Sequence, residues 1–177
     1  VAVAPHTSNW DFLHGAAAMF ALDLKLSFIG KHTLFVWPVS AFLRWMGGVP
    51  VDRTASHGVV GEAVEGFRNA GSQVLVIAPE GTRSKTEALQ EAKLGVAFLA
   101  SKSGYPVLPV SVTGTEDRSI VENLKHFRRS KIVVRAGDAF KIEIPKGRGR
   151  EQAMREATDE IMCQIGAILP EKYRGVY

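Results

Sequence analysis

Short apolar runs alternate with longer stretches of helical periodicity along most of this chain. The apolar runs cover residues 1–4, 26–29, 74–78, 107–112 and 132–135, with a further candidate at 140–144. Apolar residues recur at helical spacing in residues 11–22, 34–46, 56–69, 88–103 and 150–168. Apolar runs of this kind are typical of buried strands, and their alternation with helices predicts the α/β class. We therefore expect a mixed, largely parallel central sheet covered by helices.

Glycines and spacing add detail to this arrangement. Gly71 and Gly104 follow two of the predicted helices, where glycine commonly adopts the left-handed conformation that ends a helix. The strand at 74–78, the helix at 88–103 and the strand at 107–112 together have the length of a βαβ crossover. These two strands are therefore predicted to be parallel.

The chain is long enough for one domain with a substantial core. It has 177 residues, no internal repeat and no linker rich in Gly, Pro or Ser, so residues 1–177 are expected to form a single domain. The sequence starts abruptly in an apparent strand without an initiator methionine, which indicates missing N-terminal residues. The longest mainly apolar stretch, 34–46, is shorter than the ~20 residues that a membrane-spanning helix needs.

Charge and cysteine content narrow the classes of partner and site. Twenty-two basic against 18 acidic residues give a net charge of +4, which favours anionic partners. Cys163 is the single cysteine, so the chain has no internal disulfide and no Cys-rich zinc site, and a reducing compartment is expected. The five histidines show no familiar metal-ligand spacing; they are His6, His14, His32, His57 and His126.

The first cluster of chemically useful side chains lies between a predicted strand and a predicted helix. It is the segment His6-Thr7-Ser8-Asn9-Trp10-Asp11. In a continuous helix the side chains of His6 and Asp11 would lie about 140° apart and could not touch. With His6 in the loop and Asp11 in the first helical turn, the carboxylate can fix the imidazole tautomer and leave Nε2 free as a base. Ser8 and Asp11 also fit a helix capping box, so a structural interpretation stays open.

The second cluster directly follows the apolar run at 74–78. It is the segment Pro79-Glu80-Gly81-Thr82-Arg83-Ser84. Ligands usually bind at the carboxyl ends of strands in open α/β sheets. Gly81 allows close approach of the backbone, Thr82 supplies a hydroxyl, and Arg83 offers a fork of donors suited to phosphate. An ordinary turn with a surface ion pair would leave the same pattern.

The third segment combines glycines with a charged pair. It is Gly47-Gly48-Val49-Pro50-Val51-Asp52-Arg53, a short extended stretch after a predicted helix. Arg53 is either a second phosphate ligand or the surface partner of Asp52.

The fourth segment is an apolar strand that contains a proline. Its sequence is Leu108-Pro109-Val110-Ser111-Val112, which by itself predicts core packing. Such a strand can also form a wall of a neighbouring site.

Taken together and in this order, the four segments resemble the lysophosphatidic acid acyltransferase family of glycerolipid acyltransferases (1-acylglycerol-3-phosphate O-acyltransferases). The family hallmark is a His followed by an Asp as in His6-x4-Asp11, and the resemblance extends from His6 to Val112. The resemblance implies a glycerolipid acyltransferase-like fold and a single acyltransferase domain.

The resemblance also implies roles for individual residues. His6 would be the general base and Asp11 its orienting partner. The glycine-led and Glu-Gly-Thr-Arg blocks would bind the acceptor phosphate through Arg53, Glu80, Gly81, Thr82 and Arg83, with Gly48 opening the first of them. Lys93, in Lys93-Leu94-Gly95, together with Pro109 and Val110, would contact the acyl donor or form a wall of the site.

Two residues depart from the family pattern. Pro5 stands before His6, where many members carry Asn, and Trp10 is bulky for its position beside Asp11. These departures put the identity of the acceptor in doubt, so a lysolipid or polar acceptor other than lysophosphatidic acid stays open.

The reaction implied by the resemblance moves a fatty acyl group from acyl-CoA or acyl carrier protein to the hydroxyl of a lysophospholipid, without a further cofactor or metal. His6 would deprotonate the hydroxyl in a ternary complex, and the thiolate would leave without help because thiols are acidic. A serine hydrolase or ping-pong transferase that uses Ser8 or Ser84 is the competing mechanism.

Two surface features concern partners. Apolar residues beside Lys31 and Arg44 suit peripheral contact with an anionic membrane on its cytoplasmic face, although each taken singly is better explained as core. They are Phe12, Leu13, Met19, Phe20, Leu34, Phe35, Val36, Trp37, Phe42, Leu43 and Trp45.

The densest basic cluster comprises Lys125, His126, Arg128, Arg129, Lys131 and Arg135. It could serve a non-catalytic membrane- or nucleic-acid-binding module, but it lacks interleaved aromatics and matches no common nucleic-acid motif, so we expect no nucleic-acid partner. We assign the cluster more readily to lipid head groups or to an acidic acyl carrier protein.

Overall fold

The structure is a computed structural model that describes residues 1–5, 17, 21–52, 59–69, 71–82, 84 and 86–177. Its strands are β1 (Ala2–Val3), β2 (Leu26–Lys31), β3 (Gly48–Val51), β4 (Val74–Ile77), β5 (Leu108–Thr113) and β6 (Val133–Ala136). Its α-helices are α1 (Val39–Trp45), α2 (Val59–Asn69), α3 (Gly95–Ser103), α4 (Asp117–Lys125) and α5 (Arg150–Ile168). Two 3₁₀ turns cover His32–Leu34 and Glu171–Tyr173.

The described strands form one six-stranded sheet in the order β3-β2-β4-β1-β5-β6. Neighbours from β3 to β5 are parallel, and β6 runs antiparallel to β5. The predicted mixed, largely parallel α/β sheet is thus confirmed. The strands β4 and β5 are parallel as expected, but β1 lies between them because it pairs with both. The carboxyl ends of β1, β4 and β5 therefore lie side by side at one edge of the sheet.

Helices cover both faces of the sheet. Val49 and Val51 pack with α2 in one core cluster. A Cβ on Gly48 would meet Phe35 and the Leu43 carbonyl on the other side, so α1 covers the opposite face, because successive strand residues alternate between faces. The helix α3 lies between α2 and α5, since it adds Leu99 to the first cluster and several residues to a second one. The second cluster contains Val3, Leu89, Val96, Ala97, Ala100, Val107, Ile161, Met162, Ile165 and Leu169.

The helix predicted at 88–103 starts only at Gly95, so that part of the prediction is wrong. The backbone N–H groups before Gly95 donate to distant acceptors instead of to carbonyls four residues earlier. Leu89 donates to the Tyr173 carbonyl at 2.9 Å, and Lys93 donates to the Pro79 carbonyl at 3.0 Å. The segment before α3 is therefore a non-helical loop that is hydrogen-bonded to distant parts of the fold.

Other boundaries also differ from the predictions. The stretch 34–46 is divided at Pro38, which has no N–H to donate, so that a 3₁₀ turn precedes it and α1 follows it. The helix α4 was not predicted, and the candidate strand at 140–144 contributes only a bridge between Val107 and Phe140. The helix predicted at 11–22 lies almost wholly outside the described residues, whereas α5 has its predicted bounds.

Candidate functional site

The chain leaves β1 at the edge where β4 also ends. The Ala4 N–H donates to the Ile77 carbonyl at 3.0 Å, and Pro5 is buried beside them. His6 and Asp11 follow directly in the sequence but lie outside the described residues. The general-base and capping interpretations of that pair therefore both stay predictions.

Glu80 organises the loop that follows β4. Its side chain is only 3% exposed, and Oε1 accepts a hydrogen bond from the Gln90 N–H at 2.9 Å. The Gly81 N–H donates to the Ala78 carbonyl at 3.1 Å, which closes a tight turn. A buried carboxylate cannot favour an anionic ligand by direct contact, so the geometry gives Glu80 the part of an internal clamp on residues 88–94.

Lys93 lies directly over the turn at Gly81. A Cβ on Gly81 would be 3.1 Å from Lys93 Cδ and 3.2 Å from Nζ. Gly81 also has φ of +68°, a conformation that glycine adopts without steric cost. Thr82 is exposed next to it, so a cation, backbone and a hydroxyl converge at the carboxyl end of β4. Arg83 belongs to the same sequence block but lies outside the described residues.

Ser84 is a structural residue of this loop. It is 3% exposed, and its Oγ donates to the Ala88 carbonyl at 2.7 Å and accepts from the Thr86 N–H at 3.3 Å. A nucleophilic serine must give its proton to a base, whereas this hydroxyl gives it to a carbonyl. The geometry therefore does not favour Ser84 as an acyl-accepting nucleophile.

The glycine-led block begins at the amino end of β3. This strand ends at the edge of the sheet where β1 and β4 also end. Gly48 opens β3, and the close neighbours Phe35 and Leu43 explain the need for glycine by packing. Asp52 follows β3, and its Oδ1 is 3.6 Å from Nδ1 of His32, which follows β2. Arg53 lies outside the described residues.

A small cavity lies where β1 and β5 end. It is partly open to solvent, and its lining includes Pro5, Val112, Thr113, Thr115, Glu116 and Tyr173. The Tyr173 hydroxyl donates a hydrogen bond to Glu116 Oε1. No motif in the sequence pointed to this pair, because 57 residues separate its members.

The pKa of both side chains in the Tyr173–Glu116 pair is shifted by their surroundings. Burial opposes ionisation of Glu116, but hydrogen bonds from Tyr173 and the backbone together with the Lys172 charge lower the pKa of its carboxyl. Burial, reinforced by the bond to Glu116, raises the pKa of the Tyr173 phenol. The pair is therefore a carboxylate held by a neutral phenol at neutral pH.

Pro109 and Val110 are placed inside the sheet. Pro109 is fully buried opposite Val3, and Val110 is half-buried opposite Ala136 on the outer strand. Neither residue lines the cavity at the edge. Lys93, Pro109 and Val110 were the residues expected to contact the acyl donor or to form a wall of the site. Of these three, Lys93 is the one that lies at the loop after β4.

The apolar stretch around α1 is more exposed than expected. Core packing, which we favoured for each residue singly, is wrong for five of them, namely Leu34, Val36, Trp37, Phe42 and Trp45. Phe35 and Leu43 are half-buried, and Phe12, Leu13, Met19 and Phe20 lie outside the described residues. Among the helices that the structure describes, none has the length and apolarity needed to cross a membrane.

Known proteins share both sequence and fold with this chain. The 1-acyl-sn-glycerol-3-phosphate acyltransferase of Escherichia coli (strain K12) is 29% identical over 136 residues, which make up 75% of this chain and 53% of that protein. The chloroplastic 1-acyl-sn-glycerol-3-phosphate acyltransferase BAT2 of Brassica napus is 33% identical over 114 residues, 62% of this chain and 33% of that protein. The chain thus spans about half the length of the bacterial relative.

The fold matches a crystal structure as well. The 1-acyl-sn-glycerophosphate (LPA) acyltransferase from Thermotoga maritima superposes with a TM-score of 0.63 at 24% identity, covering 99% of this chain and 66% of that one. The sequence model of the family described as Acyltransferase matches residues 1–113, which contain β1 to β5 and every site residue predicted from the sequence. This chain therefore belongs to the acyltransferase family.

Proposed function

We propose that this chain transfers a fatty acyl group from a thioester donor to the hydroxyl of a lysophospholipid. The acceptor that fits best is 1-acylglycerol-3-phosphate, which would give phosphatidic acid, because the relatives described above carry that substrate in their names. The observation that carries the proposal is the position of Lys93 over Gly81 beside the end of β1. A cation over an open glycine turn is a suitable place for a phosphate.

The acceptor phosphate would lie at the carboxyl end of β4. Lys93 and Arg83 would supply positive charge, and Thr82 would supply a hydroxyl. Arg53, two residues after β3 in the sequence, would be a further cation for the phosphate. Glu80 acts indirectly by fixing the loop through Gln90. Held in this way, the free hydroxyl of the acceptor would be presented to the segment that follows Pro5, and such positioning removes much of the entropic barrier.

His6 would act as the general base in this arrangement. It takes the proton of the acceptor hydroxyl while that oxygen forms a bond to the thioester carbonyl carbon. The carbon–sulfur bond then breaks, and the thiolate leaves and recovers the proton from the imidazolium. Asp11 would orient the ring and stabilise its charged form.

Contact with lipid would occur through the exposed residues around α1. Trp37 is 88% exposed, and Lys31 and Arg44 are exposed nearby in the sequence. Aromatic side chains together with cations favour the interface of an anionic bilayer. We propose a peripheral location on the cytoplasmic face of a membrane.

Transfer assays with purified protein test this function. Several lysophospholipids are crossed with acyl-CoA and acyl carrier protein, and transfer to 1-acylglycerol-3-phosphate is expected to be fastest. Faster transfer to another lysolipid would keep the reaction but replace the acceptor, the alternative raised by Pro5 and Trp10. A wild-type chain that transfers to none of them would refute the proposal.

Single substitutions distinguish a catalytic role of His6 and Asp11 from a helix-capping role of Ser8 and Asp11. His6→Ala should abolish transfer with an unchanged circular dichroism spectrum, and near-normal activity would sink the base assignment. Asp11→Asn should lower kcat by at least about a hundredfold. Ser8→Ala is the matched control, since losing a cap costs about 1 kcal/mol of stability but leaves the base in place. If Asp11→Asn also changes only stability, Asp11 is merely part of a cap.

A further inference from the structure

The C-terminus of α4 presents a phenylalanine where helices usually place glycine. The Arg128 N–H donates to the Asn123 carbonyl at 2.8 Å, and the Phe127 N–H donates to the Leu124 carbonyl at 3.1 Å. These two bonds define a Schellman motif in which Phe127 is the left-handed residue, with φ of +52°. A non-glycine residue in this conformation costs about 1 kcal/mol. Phe127 is nevertheless 98% exposed, so burial does not offset that cost.

The same loop carries a concentration of positive charge. Residues 123–137 contain no Asp or Glu, and five exposed cations lie within them, namely Lys125, Arg128, Arg129, Lys131 and Arg135. None of the five forms an ion pair with a carboxylate of the described residues. The partial negative charge at the end of α4 favours cations within the last turn, but this effect does not extend to Lys131 or Arg135.

This basic loop, residues 125–131, lies at the edge of the sheet that bears the candidate site. A Cβ on Gly114, the residue after β5, would be 2.1 Å from the Lys131 carbonyl oxygen, so the loop passes against the end of β5. Asn123 Nδ2 donates to Ser130 Oγ at 3.1 Å and ties the loop to α4. Since neighbouring strands are about 4.8 Å apart, the loop joins β6 about 10 Å from the end of β1.

The loop and the phosphate-suited turn lie on opposite sides of β1. Gly81 and Lys93 follow β4 on one side, and Lys131 lies at β5 and β6 on the other. If the acceptor phosphate occupies the β4 side, the β5 side of β1 stays available for a thioester that has to reach the same hydroxyl. Both biological carriers of acyl thioesters place a strongly anionic body at the end of a phosphopantetheine arm.

We propose that the basic loop binds the anionic carrier of the acyl donor, with Phe127 providing an apolar contact. This inference rests on the acyl transfer proposed above. The occupant is the phosphorylated nucleotide of coenzyme A, and an acidic acyl carrier protein is the alternative that the test distinguishes. Phe127 would lie against the adenine ring, a use that accounts for an exposed aromatic in a strained conformation.

The first test removes charge from the loop. The variant Arg128→Gln/Arg129→Gln/Lys131→Gln is compared with the control variant Lys141→Gln/Lys146→Gln/Arg148→Gln. The control also removes three exposed charges, but from the segment after Phe140. Phe140 bridges to Val107, which precedes β5 at the end opposite to the basic loop. The KM for acyl-CoA and for acyl carrier protein is measured with a short-chain, monomeric acceptor. Loss of three exposed contacts should raise the KM for acyl-CoA about tenfold at low salt, and added salt should reduce the difference. The acceptor KM and the control variant should stay within about twofold of wild type.

The second test uses Phe127→Gly, which removes the aromatic ring and also relieves the backbone strain. The variant should be more stable than wild type and yet show a donor KM raised several-fold. A folding defect cannot produce that combination. An unchanged donor KM in Phe127→Gly would contradict the role of the ring.

Three outcomes separate this inference from its alternatives. An unchanged KM for acyl-CoA in the charge variant overturns it, and a rise confined to acyl carrier protein would make the loop a carrier-protein contact instead. Lost binding to phosphatidylcholine vesicles containing phosphatidylglycerol, with both donor KM values unchanged, would make the loop a membrane contact instead and also overturns it. Calorimetric binding of coenzyme A itself needs no transfer, so weaker binding in the charge variant would support the loop even if the proposed acceptor proved wrong.

Discussion

The Lys93 side chain lies against the bare Cα of Gly81, with Nζ 3.2 Å from the position that a Cβ would occupy. Twelve positions separate these residues, and the bond from the Lys93 N–H to the Pro79 carbonyl brings them together. A cation is thereby held at the carboxyl end of a parallel strand, where ligands of α/β sheets bind. Two variants follow from this contact.

Gly81→Ala should impair acceptor binding more than stability. The new Cβ is strained at φ of +68° and displaces Lys93, so a severalfold rise in the acceptor KM is expected, with a stability loss of about 1 kcal/mol. Gly104→Ala is the matched control, because Gly104 has φ of +71° and no atom within 4 Å of its Cβ position. Equal changes in the acceptor KM of both variants would show that strain alone is responsible.

Lys93→Gln should raise the acceptor KM about tenfold or more while changing stability little, because Lys93 is exposed and its proposed partner is the substrate phosphate. The measurement is steady-state kinetics with the acceptor varied at saturating donor. Lys102→Gln, an exposed lysine in the last turn of α3, is the comparison. A rise confined to the donor KM would instead assign Lys93 to the donor.

Ser84→Ala should destabilise the fold without abolishing transfer. The substitution leaves the Thr86 N–H and the Ala88 carbonyl without their serine partner, at a cost of about 1–2 kcal/mol and a fall in Tm of roughly 3–6 °C. Transfer at a temperature well below Tm should stay within a few-fold of wild type. Complete loss of transfer at unchanged Tm, together with an acyl-enzyme trapped from labelled donor, would revive the serine mechanism.

Tyr173→Phe should lower stability by about 1–2 kcal/mol at pH 7, because a partly buried carboxylate loses its phenol donor. The pKa of Glu116 is lowered from 4.5 in the fold, so the stabilisation is present above that value and is lost as the pH falls through the lowered pKa. Urea unfolding from pH 7 to about pH 3 should therefore show wild type and variant converging below pH 4.5. Tyr105→Phe is the control, and a pH-independent difference for Tyr173→Phe would contradict the assignment.

The local sequence was sufficient for the elements whose stability depends on their own periodicity. The apolar runs that became β2, β4 and β5 are recognisable because central strands need apolar residues on both faces. The long amphipathic pattern of α5 likewise predicted both of its ends. The order of the motifs was enough to identify a family resemblance, which the family match over residues 1–113 confirms.

Contacts between residues distant in the sequence decided the remaining features of the fold. Residues 88–93 have helical spacing but do not form a helix, because Glu80, Pro79 and Tyr173 accept backbone N–H groups of this segment. The insertion of β1 between β4 and β5 decides which loops meet at one edge, and no local pattern encodes strand order. By itself the sequence predicted candidate residues for the chemistry. Only the tertiary structure decided that Lys93 lies over Gly81 and that the basic loop lies across β1 from them, because both arrangements depend on long-range pairing.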